Sequence, residues 1–153
     1  ELIAQRVDEL QHTSASHRMM FQAKGKITVT ADKERIGQVL TNLISNAIKY
    51  SPEGNIILDS RQKDGTVEVC VRDFGIGIAV DLKEKIFDRF YRVRSVSIDT
   101  YPGMGLGLYI SAAIIKRHGG EIWVESPPLE ADGKTGKGAA FYFRIPVSKK
   151  PEL

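Results

Sequence analysis

Asn42, Asn46 and Lys49 stand at helical spacing in this chain. If each residue turns a helix by about 100°, the three side chains spread over only ~60°, so two amides and an ammonium converge. Ile36, Leu40, Leu43 and Ala47 fall on a different stripe and face a core. Taken alone, the polar stripe fits a solvated helix face as readily as a ligand site. Downstream, a Val-rich segment ends on Asp73-Phe74-Gly75-Ile76-Gly77-Ile78, an acid followed by two glycines two apart. Such a bend needs permissive backbone angles. An aspartate at a strand end can accept a hydrogen bond from the exocyclic amine of adenine, while the glycines let a base approach the backbone. A tight turn with a solvated acid accounts for the motif comparably. The run Gly103-Met104-Gly105-Leu106-Gly107-Leu108 then leads into a helix ending at His118. Backbone N–H groups at a glycine-opened helix start suit phosphate oxygens. A flexible loop and cap would explain one glycine more easily than three.

The elements that must position these groups follow from periodicity. Residues 1–13 place Ile3, Val7 and Leu10 on one face of a short amphipathic helix. Residues 17–23 and 27–30 read as two strands separated by Gly25, and Asp32 offers a capping oxygen to a helix running to Tyr50. Ser51-Pro52 stops it. Residues 55–62 and 66–73 form a hairpin about Asp64-Gly65. A short helix over 82–87, an irregular stretch over 93–104 and a helix over 105–118 follow, the last ended by Gly119-Gly120. Residues 121–125 and 139–147 make a final strand pair joined by a loop rich in Pro, Gly and charge. The expected fold is a two-layer α/β sandwich, a mixed sheet covered by helices on one face.

Composition sets bounds on function. The 153 residues suit one domain able to bury a core, and 42% hydrophobic with 27% charged residues is an ordinary globular balance. The net charge of +3 is spread without a Lys/Arg block, so neither nucleic acid nor a membrane surface is indicated as partner. Cys70 is the single cysteine and lies in a strand-like run, which predicts a small buried residue rather than a reactive thiol. No apolar stretch reaches the roughly 20 residues that span a bilayer, and the first ten residues lack the pattern of a signal peptide. A reducing, cytoplasmic setting is expected. The chain opens at Glu1 without an initiator Met, which reads as a fragment of something longer, with any anchor to an inner membrane outside it.

Taken together and in order, Asn42/Asn46/Lys49, Asp73/Gly75/Gly77 and Gly103/Gly105/Gly107 resemble the N, G1 and G2 boxes of bacterial sensor histidine kinases. Residues 85–92, Lys-Ile-Phe-Asp-Arg-Phe-Tyr-Arg, resemble that family's F box, and His118-Gly119-Gly120-Glu121-Ile122-Trp123 its closing helix-strand junction. The resemblance covers nearly the whole chain and implies the Bergerat-type (GHKL) sandwich with a mobile ATP lid over 93–104. It implies ATP and Mg²⁺ as ligands. Asp73 would read adenine, Asn46 would bind the metal through its amide oxygen, and Asn42 and Lys49 would lie near the phosphates. Tyr50 would line the nucleotide's edge and Arg92 would reach the γ-phosphate. Ile78, Leu106 and Leu108 belong to the same nucleotide-binding boxes. Phe87 and Phe90 are expected to pack instead. Two departures stand out: Arg94 where an acid is common, and a loop over 126–137 longer than usual.

Other motif readings fail. Asp73-Phe74-Gly75 spells the magnesium motif of eukaryotic protein kinases, but no His-Arg-Asp loop precedes it. Gly133-Lys134-Thr135 lacks the P-loop's first glycine, since Pro128 stands there. The glycines of 103–107 are misplaced for a dinucleotide fingerprint. His12, His17 and His118 are too scattered for a zinc pair and read as surface or capping residues. Their followers are Thr13, Arg18 and Gly119, whereas the family's phosphoacceptor histidine is usually followed by an acid. The single domain 1–153 is therefore expected to lack the dimerisation and phosphoacceptor domain, to bind ATP, and to donate its γ-phosphoryl group to a histidine elsewhere in a two-component phosphorelay. Its partners would be that domain and a response regulator. One rival is an ATP-hydrolysing clamp of the gyrase, mismatch-repair or chaperone type. Those enzymes carry a water-activating glutamate four residues before the magnesium asparagine, and this chain has Asn42 there. The other rival, a non-catalytic regulatory module, sits poorly with retention of Asn46, Lys49, Asp73, Arg92 and the phosphate-loop glycines.

Overall fold

The computed structural model describes residues 1–88, 106–127 and 137–148. Its longest helix, α2 (Lys33–Tyr50), starts where the Asp32 side chain accepts a hydrogen bond from Arg35 N at 3.2 Å. Ile36, Val39, Leu40, Leu43, Ile44 and Ala47 are buried along one face of it. Burying each larger side chain of this kind contributes about 1.5–3 kcal/mol. The N-terminal helix α1 (Leu2–Gln11) buries Val7 and packs Leu2, Ile3 and Leu10 against the same core, as its apolar spacing predicts. α3 (Gly107–Arg117) buries Ser111, Ile114 and Ile115.

Five strands form one sheet in the order β1-β2-β3-β5-β4: β1 (His17–Ala23), β2 (Gly54–Lys63), β3 (Thr66–Asp73), β4 (Glu121–Glu125) and β5 (Ala139–Pro146). β1 and β2 are parallel and the other pairs antiparallel, so the sheet is mixed as expected. The β2–β3 hairpin turns through Asp64 and Gly65, with φ of 52° and 74°, the left-handed pair that a two-residue hairpin requires. Alternation decides the faces. Ile56, Leu58, Val67, Val69, Val71, Phe141, Phe143 and Ile145 are buried in the core, while Arg61, Glu68, Cys70, Arg72, Tyr142 and Arg144 take the opposite face. Trp123 stacks on Tyr142 there, ring centroids 5.3 Å apart. The sandwich of helices on one face of a mixed sheet is thus the fold that the pattern of elements implies.

Four local expectations are corrected. Residues 27–30 are not a strand; Thr30 N bonds Val147 O, just past β5, at 3.1 Å. The helix expected over 82–87 is two 3-10 turns, Val80–Leu82 and Lys85–Phe87, of which Ile86 is buried and Phe87 packs edge-on to Phe141. Cys70 is half-buried rather than fully buried, because it lies on the less covered face; burial still pushes its thiol up to about 11, so it stays protonated at neutral pH. His17 is neither a surface nor a capping residue. It is buried, its Nε2–H donates to the Ser51 carbonyl at 2.5 Å, and its Nδ1 shares a hydrogen bond with Ser14 Oγ at 2.6 Å. His118 does cap: Nδ1 donates to Ile114 O at 2.8 Å and Nε2 accepts from Asp32 N at 3.2 Å, joining the end of α3 to the start of α2.

Candidate nucleotide site

Helix α2 is the axis of the site. Asn42, Asn46 and Lys49 lie half-buried along it, away from the buried apolar stripe. Asn46 and Lys49 make no side-chain hydrogen bond or ion pair among the described residues. Asn42 is committed: its Nδ2 donates to Gly107 O at 3.2 Å and to Ser111 Oγ at 3.1 Å, tying the middle of α2 to the first turns of α3. Only its amide oxygen is left to face a ligand.

The other end of α2 is tied to the loop after Asp73. The carbonyl of Tyr50, last residue of the helix, accepts from Ile76 N at 3.2 Å. Gly75 packs so closely beneath it that a Cβ there would overlap the Tyr50 carbonyl oxygen and lie 2.7 Å from Ser51 Cα. Glycine at 75 is therefore demanded by close approach, not merely by bending. His17 holds the neighbouring Ser51 carbonyl from behind.

Asp73 closes β3 and is 3% exposed. Its Oδ1 accepts from Gly75 N at 2.9 Å, and the N–H of Ala139, its register partner on β5, also bonds the carboxylate. Burial raises its pKa from the ordinary aspartate value; the two N–H groups and nearby Arg72 and His17 pull the other way without cancelling that rise. Gly77 sits at φ 72° and Ile78 N donates to Ser126 Oγ at 2.7 Å. Across the site, α3 begins at Gly107 with Leu106 as its cap residue, and no side chain among the described residues caps its start. That is the arrangement a phosphate can complete. Leu106, Gly107 and Leu108 are half-exposed there.

Of the residues singled out in the sequence, Asn42, Asn46, Lys49, Tyr50, Asp73, Gly75, Gly77, Ile78, Leu106, Gly107 and Leu108 fall on α2 or on the two segments bonded to it. Arg92, Gly103, Gly105, Phe90, Arg94, the segment 93–104 and most of the long loop, 128–136, lie outside the described residues. Sequence reasoning missed Ser126, Gly138 and His17. Gly138 had a signal, since Gly136-Lys137-Gly138 opens a strand; Ser126 and His17 had none, because their partners are 48 and 34 residues away.

A family model described as histidine kinase-, DNA gyrase B-, and HSP90-like ATPase matches residues 31–149. The chain is 41% identical over 127 residues to the sensor histidine kinase WalK of Bacillus subtilis (strain 168), a match covering 81% of this chain and 20% of WalK. The catalytic domain of histidine kinase ThkA superposes with a TM-score of 0.81 at 33% identity, covering 97% of this chain and 93% of that one. A structure of ThkA in complex with the response regulator protein TrrA matches with a TM-score of 0.74 at 30% identity, over 95% of this chain and 39% of ThkA. The chain thus spans about a fifth of the length of WalK. Matched over most of its length by that model and folded as the ThkA catalytic domain is, the chain belongs to the histidine kinase-, DNA gyrase B- and HSP90-like ATPase family.

Proposed function

We propose that this domain binds ATP with magnesium and donates the γ-phosphoryl group to a histidine on a separate dimerisation domain, in two-component signalling. One observation carries the reading: α2 presents Asn46 and Lys49 unpartnered among the described residues, between a helix start bonded to Asn42 and an acid-bearing loop bonded to Tyr50. This bonding of Gly107 and of the loop after Asp73 to α2 supports a single site shared by the three boxes.

The donor set fits a magnesium ion, because the Asn46 amide oxygen is a hard, neutral ligand without another partner among the described residues, and Mg²⁺ takes its remaining ligands from water and phosphate. When bound, that ion would neutralise charge on the triphosphate. Lys49 adds a point charge beside the phosphates. The uncapped start of α3 supplies backbone N–H groups to phosphate oxygens. Asp73 accepts the exocyclic amine of adenine in its ionised form. Arg92, which lies outside the described residues, would on this reading stabilise charge as the phosphoryl group leaves for the imidazole. The protein's work is positioning and charge neutralisation. Steady ATP hydrolysis is disfavoured by Asn42, which offers no carboxylate to activate water and spends both amide protons on α3. The downstream partner in this reading is a response regulator.

Incubation with γ-labelled ATP is expected to leave the isolated chain unlabelled, and addition of its own acceptor helices to produce a labelled histidine on them. Label on the isolated chain, or none on the helices, would overturn the division of labour.

A further inference from the structure

We propose that Ser126 is a positioning residue for adenine selection, its hydroxyl locking together the two backbone segments whose N–H groups aim the Asp73 carboxylate. The inference rests on the reading of Asp73 as the adenine acceptor.

Ser126 follows β4 and is 1% exposed, so it acts through protein atoms and not by touching solvent or ligand. Its Oγ–H donates to Gly138 O at 2.7 Å. A hydroxyl has a single proton, so the second bond, from Ile78 N at 2.7 Å, is one that the oxygen accepts. Each partner adjoins a group that holds Asp73. Gly138 precedes Ala139, whose N–H bonds the carboxylate, and Ile78 ends the short loop that begins with Gly75, whose N–H bonds Oδ1 at 2.9 Å.

The surrounding packing leaves no slack for another arrangement. Gly138, at φ 78°, lies so close to the Asp73 carbonyl and Gly75 N that a Cβ would overlap the former and stand 2.8 Å from the latter. A Cβ on Gly77 would stand 2.9 Å from Ser126 Oγ and 3.1 Å from Gly138 O. Three stretches of chain, the loop of 75–78, Ser126 itself and the start of β5, thus meet at one hydroxyl. Without it, the Ile78 N–H and the Gly138 carbonyl lose their partner, and the Asp73 carboxylate, bonded to Gly75 N and Ala139 N, is left to hold the loop of 75–78 to the start of β5. The carboxylate keeps its charge and its two N–H partners, but the segments that carry those N–H groups are no longer braced against each other, and its direction loosens.

The test measures dissociation constants for Mg-ATP and Mg-GTP on wild type, Ser126→Ala, Asp73→Asn and the double variant, with a thermal transition for each. Ser126→Ala is expected to retain a cooperative transition and to lose roughly tenfold in the ATP/GTP affinity ratio. In the Asp73→Asn background the same change is expected to leave the ratio unaltered, because Ser126 acts through Asp73. A wild-type ratio in Ser126→Ala, or an equal further loss in the double variant, would overturn the proposal. Should Ser126→Ala unfold, Ser126→Cys decides: with a weaker donor of similar size, its ratio should lie below wild type, and a wild-type ratio would again overturn it. Failure of wild type to prefer ATP would instead refute the reading of Asp73 itself, a separate outcome.

Discussion

Asp73→Asn is expected to weaken ATP binding roughly a hundredfold and to remove most discrimination against GTP. The ionised carboxylate is an acceptor at both oxygens, and the N–H groups of Gly75 and Ala139 fix its direction. An asparagine turns one of those oxygens into a donor. Either it faces a backbone N–H or it faces the adenine amine, and both are donor against donor. Stability should move differently from affinity. Burial raises the folded-state pKa of Asp73, so its contribution to stability is full below the unfolded pKa and is lost as pH rises through the folded value. At neutral pH the charge is a cost, and the Asn variant should melt within a few degrees of wild type. Affinity has the opposite sign, since the ionised form binds the amine: wild-type ATP affinity should fall as pH drops through the raised pKa, while that of Asp73→Asn stays flat. Calorimetric titrations over that range check both slopes; parallel wild-type and variant profiles would remove Asp73 from the site.

The second large effect is expected from Gly75→Ala, which should lower the melting temperature by about 5–10 °C and abolish measurable ATP binding. Its new methyl would collide with backbone, the Tyr50 carbonyl and Ser51 Cα, and not with a side chain that can swing away. The Tyr50–Ile76 bond would have to open to admit it, detaching the Asp73 loop from the end of α2. Gly54→Ala is the contrast. A Cβ there meets nothing within 4 Å although φ is 107°, so its cost is backbone strain alone and ATP binding should survive. Thermal melts with nucleotide titrations separate the two; near-wild-type binding in Gly75→Ala would show that the close approach is not needed.

What was legible in the sequence was what local chemistry fixes. The apolar stripe of α2, its Asp32 cap and the Asp64-Gly65 hairpin each follow from residues within a few positions, and each stands where expected. The order of the three boxes was legible for the same reason. What escaped depends on contacts between distant segments. Residues 27–30 alternate like a strand but find no ladder partner among the described residues, so propensity alone misled there. His17 looked like a surface residue until the Ser51 carbonyl, 34 positions later, was placed over its ring. Ser126 sits in a Pro-rich stretch that reads as surface loop, yet it bonds the loop that follows Asp73. Asn42 looked like a phosphate neighbour and is also a bridge to α3, a second duty visible only once Ser111 was found beneath it.

The most direct test is a calorimetric titration of the wild-type domain with ATP and with GTP, each with magnesium and with chelator. One-to-one binding of ATP, weakened by about tenfold or more on chelation and by a similar factor on exchanging adenine for guanine, is the predicted result. Equal affinity for the two purines, or no heat with either, would contradict the account.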